Sequence, residues 1–231
     1  YGLENFGIWI FLTAIPATLA ILNFNINDAA KVEMSINFNQ NNKKKTNEIF
    51  NSSIILTFLF LIFIILITAL IIIFYDFDLN ILKDLNRQHI NIIMSCIFLS
   101  FYLTLLNSIF TTGITFWGRK DVENYLDTFF NLFTKFLIVL FGFLFNELFY
   151  AAIALLIATT SKLITSYFFF INYNKYLTLF SFKLISKKEI LNLLKLSIPY
   201  YFTNISGVIQ HSFQIIILGI FFNSQIVGSV S

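Results

Sequence analysis

A stripe of polar side chains crosses the last long apolar segment of this 231-residue chain. On an α-helix these side chains fall within about 120° of one another, and isoleucines occupy the opposite face. Amides and an imidazole in an apolar surrounding can join two helices, or they can line a hydrated substrate cavity. We favour the cavity, whose wall would be Tyr200, Thr203, Asn204, Gly207, Gln210, His211 and Gln214.

A lysine within another apolar run is the second candidate. Lys162 lies well inside the run 149–171 and shares a helix face with Thr159 and Ser166. Placing a lysine at the centre of a membrane helix costs about 2.5–3.5 kcal/mol on insertion scales, so it needs a partner or a route to the surface. Side chains on a helix lean toward its N-terminus, so the Lys162 side chain leans away from the nearer membrane surface. We therefore expect a polar interior position, which would suit an anionic ligand.

Lys135, in the run 128–145, is the contrasting case. The same lean carries its ammonium group toward the nearby surface, where a lysine can snorkel. A stripe of Asp127, Asn131 and Lys135 at the inner mouth of a cavity remains an alternative. A hydroxyl-bearing face gives a weaker signal, since hydroxyls can return their hydrogen bonds to the helix backbone: Thr104, Ser108, Thr111 and Thr115, with Asn107 beside them.

Groups for metal or covalent catalysis are scarce. The chain has one cysteine, Cys96, and two histidines, His89 and His211, too few for a transition-metal cluster or an internal disulfide. It has no phosphate-binding loop, no H-E-x-x-H, no G-x-S-x-G and no Asp-rich magnesium motif. We therefore expect no enzyme activity and no cofactor, and movement of a substrate across or within a membrane becomes the default function. A net charge of +3 is too small to indicate nucleic acid.

Membrane helices must position these candidates. Hydrophobic residues make up 58% of the chain and charged residues 12%, whereas soluble domains carry roughly 25% charged residues. Asn146-Glu147 alone separates two of the apolar runs, which predicts a tight helical hairpin there. A bilayer core needs about 20 apolar helical residues. Six runs meet this requirement and predict an all-α, polytopic transmembrane helical bundle: 6–26, 51–75, 92–116, 128–145, 149–171 and 194–222.

The loop charges predict the orientation. One set of loops carries ten lysines and arginines, and the other carries only Lys83 and Arg87. By the positive-inside rule the loops 27–50, 117–127 and 172–193 are cytoplasmic. The N-terminus would then lie outside, which suggests a fragment that lacks a first helix. None of the twelve acidic residues lies clearly inside a predicted span.

Three stretches together resemble one family, the polysaccharide biosynthesis transporters of the O-antigen flippase type, within the multidrug/oligosaccharidyl-lipid/polysaccharide exporter superfamily. Residues 1–9, YGLENFGIW, are similar to the "lGxxxyGlW" that joins its first two helices. Residues 22–31, LNFNINDAAK, resemble its "lDfGixxal[KR]". Residues 197–202, 214–219 and 227–228 resemble its seventh helix, "lP…DxxilG…vGxys". Three positions depart from the family, which usually has Asp, Gly and Asp where this chain has Asn23, Asn25 and Gln214.

The resemblance implies a larger architecture, of which this chain is a part. The whole would have 12–14 helices in two lobes around a central cavity that alternates its access. Residues 1–172 would be N-terminal lobe helices, 173–193 a cytoplasmic inter-lobe linker, and 194–231 the start of the C-terminal lobe. On this view the chain is incomplete at both ends.

The resemblance also implies a substrate. Such proteins flip an undecaprenyl-pyrophosphate-linked oligosaccharide across the bacterial cytoplasmic (inner) membrane for O-antigen, lipopolysaccharide or other surface polysaccharide synthesis, alongside other polysaccharide assembly proteins. Lys162, with Lys31 or Lys135, would meet the diphosphate. Asn204, Gln210, His211 and Gln214 would contact sugar.

Two alternatives stay open. A cation-coupled drug or small-molecule exporter of the same superfamily should show carboxylates inside its spans. A membrane glycan polymerase or ligase would need a large outer loop, and the longest one expected here is the segment around 76–91.

Overall fold

The computed structural model describes residues 2–20, 25–74, 87–174, 176–208, 212–221 and 224–230. Its regular structure in these ranges is helical throughout, which confirms the predicted all-α class. Besides a short 3₁₀ helix at Phe182–Leu184, the helices are α1 (Leu3–Leu19), α2 (Ile26–Asn39), α3 (Lys43–Phe74), α4 (Arg87–Thr115), α5 (Lys120–Phe145), α6 (Leu148–Tyr173), α7 (Lys187–Val208), α8 (Gln214–Phe221) and α9 (Ser224–Val230).

In the described part of the chain, four helices are long and apolar enough to cross a membrane: Lys43–Leu70, Gln88–Thr115, Lys120–Phe145 and Leu148–Tyr173. They correspond to the second to fifth predicted spans. The first predicted span corresponds to α1, which has 17 residues. The sixth predicted span, 194–222, includes the end of α7, the π-helical residues 212–213 and α8, while its residues 209–211 and 222 lie outside the described ranges.

The segment 27–50 was predicted to be a loop, and this is wrong. It consists of α2, a turn at residues 40–42 and the start of α3. The many charged and amide residues suggested a solvated loop, but α2 buries Ala29, Ala30 and Met34 on one side against the bundle. The charged residues of α2, Asp28, Lys31 and Glu33, are only partly exposed.

The segment 117–127 is likewise more helical than predicted. The fourth predicted span begins at 128, whereas α5 begins at Lys120. Acidic residues in the first turn, Asp121 and Glu123, favour this earlier start because they interact well with the helix N-terminus. Glu123 and Asp127 therefore belong to α5, whereas the sequence had placed both residues in a loop outside the predicted spans.

The predicted hairpin between α5 and α6 is confirmed. α5 ends at Phe145 and α6 begins at Leu148. Asn146 adopts a left-handed conformation with φ 53°, and its backbone N–H donates to the carbonyl of Gly142 over 2.9 Å. This closes the helix in the way that asparagine or glycine caps usually do. The turn holds two long helices antiparallel to each other.

The backbone conformation of Asn25 explains how asparagine can replace the family's usual glycine at this position. Asn25 lies at φ 49°, in the left-handed region, immediately before α2. Glycine is the usual residue there, and asparagine tolerates the conformation better than other residues. Its side-chain amide donates to the carbonyl of Tyr200 over 3.1 Å, which ties the start of α2 to α7.

Asparagines on α3 bind the backbone of the segment between α6 and α7. The Asn47 amide donates to the carbonyl of Tyr176 (3.0 Å) and accepts from the N–H of Thr178 (2.9 Å). The Asn51 amide donates to the carbonyl of Thr178 (3.1 Å) and accepts from the N–H of Ser181 (2.7 Å). The two residues are one helical turn apart, so they fasten the connection along one face of α3. The division into lobes at this connection stays a prediction.

Asn51→Ala should loosen this connection. Asn51 is buried, so alanine would leave the carbonyl of Thr178 and the N–H of Ser181 without their partner. We expect a loss of about 1–2 kcal/mol in the free energy of unfolding, as for unsatisfied backbone groups. The measurement is the thermal unfolding midpoint of the purified protein in detergent. Asn124→Ala, at an exposed position of α5, is the control, and an equal shift in both variants would contradict the role of the connection.

Candidate functional site

A polar cavity, open to the surface, lies between α2, α4, α5 and α6 and has a volume of about 500 Å³. It brings together two of the predicted cations with hydroxyl and amide groups. Apart from Phe130 and Ala158 the lining is polar: Lys31, Thr104, Asn107, Ser108, Thr111, Glu123, Asp127, Asn131, Thr134, Thr159 and Lys162.

Lys162 forms an ion pair across the α5–α6 hairpin. Its Nζ lies 2.7 Å from Oδ1 of Asp127. The Lys162 side chain is 23% exposed, whereas that of Asp127 is 52% exposed. The expected polar interior position of Lys162 therefore has a concrete partner, and the acid of the pair is the more open to solvent.

Lys31 of α2 pairs with two acids. Its Nζ donates to Glu123 over 2.7 Å and to Asp28 over 3.2 Å. Burial lowers the pKa of Lys31, but the hydrogen bond to Glu123 and the charges of Asp28 and Glu123 outweigh it. The pKa of Lys31 therefore lies above its ordinary value, and the ammonium group stays charged at neutral pH.

Two carboxylates lie inside a candidate span, whereas the sequence predicted no acidic residue clearly inside one. Glu123 and Asp127 belong to α5 within the candidate span Lys120–Phe145. The sequence placed them in a loop because the apolar run begins only at 128. Their spacing with Asn131 is a signal that was available: Glu123, Asp127 and Asn131 are four residues apart, which puts them on one face of a helix. Glu123 and Thr134 were not singled out from the sequence.

The predicted hydroxyls of α4 bond to their own helix backbone, and Thr104, Ser108 and Thr111 also line the cavity, whereas Thr115 does not. Thr104 and Thr111 donate to backbone carbonyls of their own helix, at 3.0 and 3.1 Å. Ser108 does the same over 2.6 Å and accepts a hydrogen bond from the Asn27 amide over 2.6 Å. Each hydroxyl oxygen retains acceptor capacity toward a ligand.

Asn107 has unused hydrogen-bonding capacity. Its side chain is 5% exposed and lines the cavity. Its Oδ1 has no hydrogen-bond partner among the described residues. A buried amide oxygen without a partner costs free energy. Because this oxygen is itself buried, it would meet a ligand in the cavity only if the amide group turned.

The remaining predicted site residues lie elsewhere. Lys135 is exposed and is not part of the cavity lining, and Ser166 is buried away from it. Gln214 begins α8 with an exposed side chain. Asn204 belongs to α7, but its side chain is not described, and Gln210 and His211 lie outside the described residues. Their contacts with a ligand stay predictions.

The cavity has the chemistry for an anionic, hydroxylated ligand. Ammonium groups can bind phosphate oxygens, and amides and hydroxyls can bind sugar hydroxyls. Among the described residues, no group of three or more histidines, cysteines and acids could hold a metal ion.

Comparison with known proteins gives a family and no individual relative. Neither the curated proteins nor the solved structures include a match to this chain. A family model described as "polysaccharide biosynthesis protein" matches residues 2–231. The chain therefore belongs to the polysaccharide biosynthesis protein family, which gives it a general role in the membrane export of polysaccharide or lipid-linked oligosaccharide.

Proposed function

We propose that the protein flips an undecaprenyl-pyrophosphate-linked oligosaccharide across the bacterial inner membrane for surface polysaccharide synthesis, without itself catalysing a reaction. The observation that carries the proposal is the joint placement of Lys31 and Lys162 in one polar cavity. A diphosphate needs charge compensation away from bulk water, and Lys162, whose partner acid is half-exposed, can supply a cation there.

The neighbouring groups fit the sugar part of such a ligand. Asn107, Asn131, Thr104 and Thr159 line the same cavity. Sugars present many hydroxyl groups, so a wall of amides and hydroxyls can bind them without demanding one particular glycan.

Lys162→Ala is the direct test. We expect transport of a diphosphate-linked oligosaccharide to fall by about tenfold, because losing one charge-assisted contact of ~1.4 kcal/mol changes an equilibrium tenfold. The measurement is flipping in reconstituted vesicles at matched protein content. Lys195→Ala, an exposed lysine of α7, is the control. Unchanged transport by Lys162→Ala at normal protein content would remove Lys162 from the site.

A cation-coupled exporter is the second candidate, and one observation favours it. Glu123 and Asp127 supply the carboxylates inside a span that such a protein needs. Transport of small cationic drugs against a proton or sodium gradient, with no flipping of the lipid-linked oligosaccharide, would favour this candidate. The alternative of a glycan polymerase or ligase depends on the outer loop around 76–91, and most of this loop lies outside the described residues.

A further inference from the structure

The lysines of the cavity are already occupied by acids of the protein itself. Glu123 and Asp127, one turn apart on α5, pair with Lys31 on α2 and Lys162 on α6. With Asp28 included, three carboxylates face two ammonium groups. The cavity therefore offers no surplus positive charge, and an anion can bind only by replacing a carboxylate.

The two ion pairs differ in how readily they can open. Lys31 is held by two acids, and the Glu123 side chain is 14% exposed. Moving Glu123 away would leave a carboxylate in a poorly solvated place, which is costly. Lys162 is held by one acid, Asp127, whose half-exposed side chain can turn into water and regain its hydration.

Resting on the proposed function, we propose that Lys162 accepts the anionic headgroup and that Asp127 is the carboxylate it displaces, a specificity-determining residue that selects multiply charged anions. Lys31 keeps its acids and positions α2 against α5. A singly charged anion gains little binding free energy when it replaces Asp127 at Lys162, because one negative charge is exchanged for another of the same size. A diphosphate brings more negative charge to Lys162 than Asp127 does, so it displaces the Asp127 carboxylate.

The test uses calorimetry to compare how the purified protein in detergent binds geranyl diphosphate and a singly charged monophosphate diester, methyl geranyl phosphate. Asp127→Asn keeps the size of the side chain and removes the competing charge. We expect geranyl diphosphate to bind about fivefold tighter to this variant, the effect of one half-exposed ion pair. The preference for diphosphate over the monophosphate diester should fall at the same time.

Asp121→Asn is the matched control. It makes the same charge change on the same helix, at an exposed acid that pairs with Arg119 outside the cavity. A general electrostatic effect of removing one negative charge would strengthen binding in both variants and would overturn the proposal. In a Lys162→Gln background, Asp127→Asn should give no gain, because the lysine for which it competes is gone.

The outcomes separate this inference from the proposed function. If Lys162→Gln abolishes diphosphate binding but Asp127→Asn does not strengthen it, the displacement of Asp127 is contradicted. Lys162 then still binds the anion, as the proposed function requires. If neither the wild-type protein nor Asp127→Asn binds geranyl diphosphate, Lys162 accepts no such anion, and the exchange falls together with the proposed headgroup site. Thermal unfolding of each variant shows whether it is folded.

Discussion

Replacing Gly113 by alanine is expected to reduce the free energy of unfolding by about 3 kcal/mol, the upper part of the range for overpacked cores. Gly113 lies on α4 where this helix meets α6, and a β-carbon there would overlap the ring of Phe170. Phe170 cannot retreat easily, because it is 2% exposed and stacks on Phe50 at 5.7 Å.

A hydrogen-bonded side chain adds to the cost of Gly113→Ala. The new β-carbon would also lie 3.3 Å from Nδ2 of Asn174. That amide donates to the carbonyl of Gly113 itself and accepts from the indole N–H of Trp117 over 2.7 Å. Shifting α4 away from α6 would therefore disturb this network and move Thr111 relative to Lys162 in the cavity.

Gly207→Ala makes the same substitution without a collision. Nothing lies within 4 Å of a β-carbon at Gly207 on α7. Alanine favours a helix over glycine by about 1 kcal/mol, so this variant should be neutral or slightly stabilised. The midpoints of thermal unfolding in detergent distinguish the two variants. Equal midpoints would mean that α4 and α6 do not depend on a glycine where they meet.

The long apolar runs are the part of the fold that the sequence predicted well. The second to fifth spans and the α5–α6 hairpin follow from run length and from Asn146-Glu147, both of which are local properties. Where a helix continues into charged sequence, apolar run length stops being informative. For this reason α2 and the first turns of α5 were taken for loops.

The candidate site was predictable only in part, for a different reason. Helical spacing correctly grouped Thr159 with Lys162, because residues three apart share a face. The pairing of Lys31 with Glu123 joins residues 92 positions apart, and no local pattern contains that information. The cavity is lined from α2, α4, α5 and α6, and α7 packs on α2 and α3. The polar stripe of 200–214 as a wall of a substrate cavity stays a prediction, because Gln210 and His211 lie outside the described residues.

Reversing the charge of Lys162 should have the largest effect on transport. Lys162→Asp would place two carboxylates in the positions now joined at 2.7 Å. Their repulsion in a half-exposed place should cost about 1–2 kcal/mol of stability. Under the proposed function, transport of the diphosphate-linked oligosaccharide should fall by more than the about tenfold expected for Lys162→Ala, since ~1.4 kcal/mol corresponds to each factor of ten. Vesicle flipping and thermal unfolding measure the two effects separately.

The double exchange, Lys162→Asp with Asp127→Lys, then separates structure from ligand binding. It restores one cation and one anion between α5 and α6, so the stability should return. Transport should stay low, because the acid would now occupy the less exposed side of the pair and the lysine the half-exposed side. Exchanging Arg119 and Asp121, an exposed pair at the start of α5 that lies outside the cavity, should leave transport unchanged. Full recovery of transport in the Lys162/Asp127 exchange would mean that the pair serves only to join the two helices.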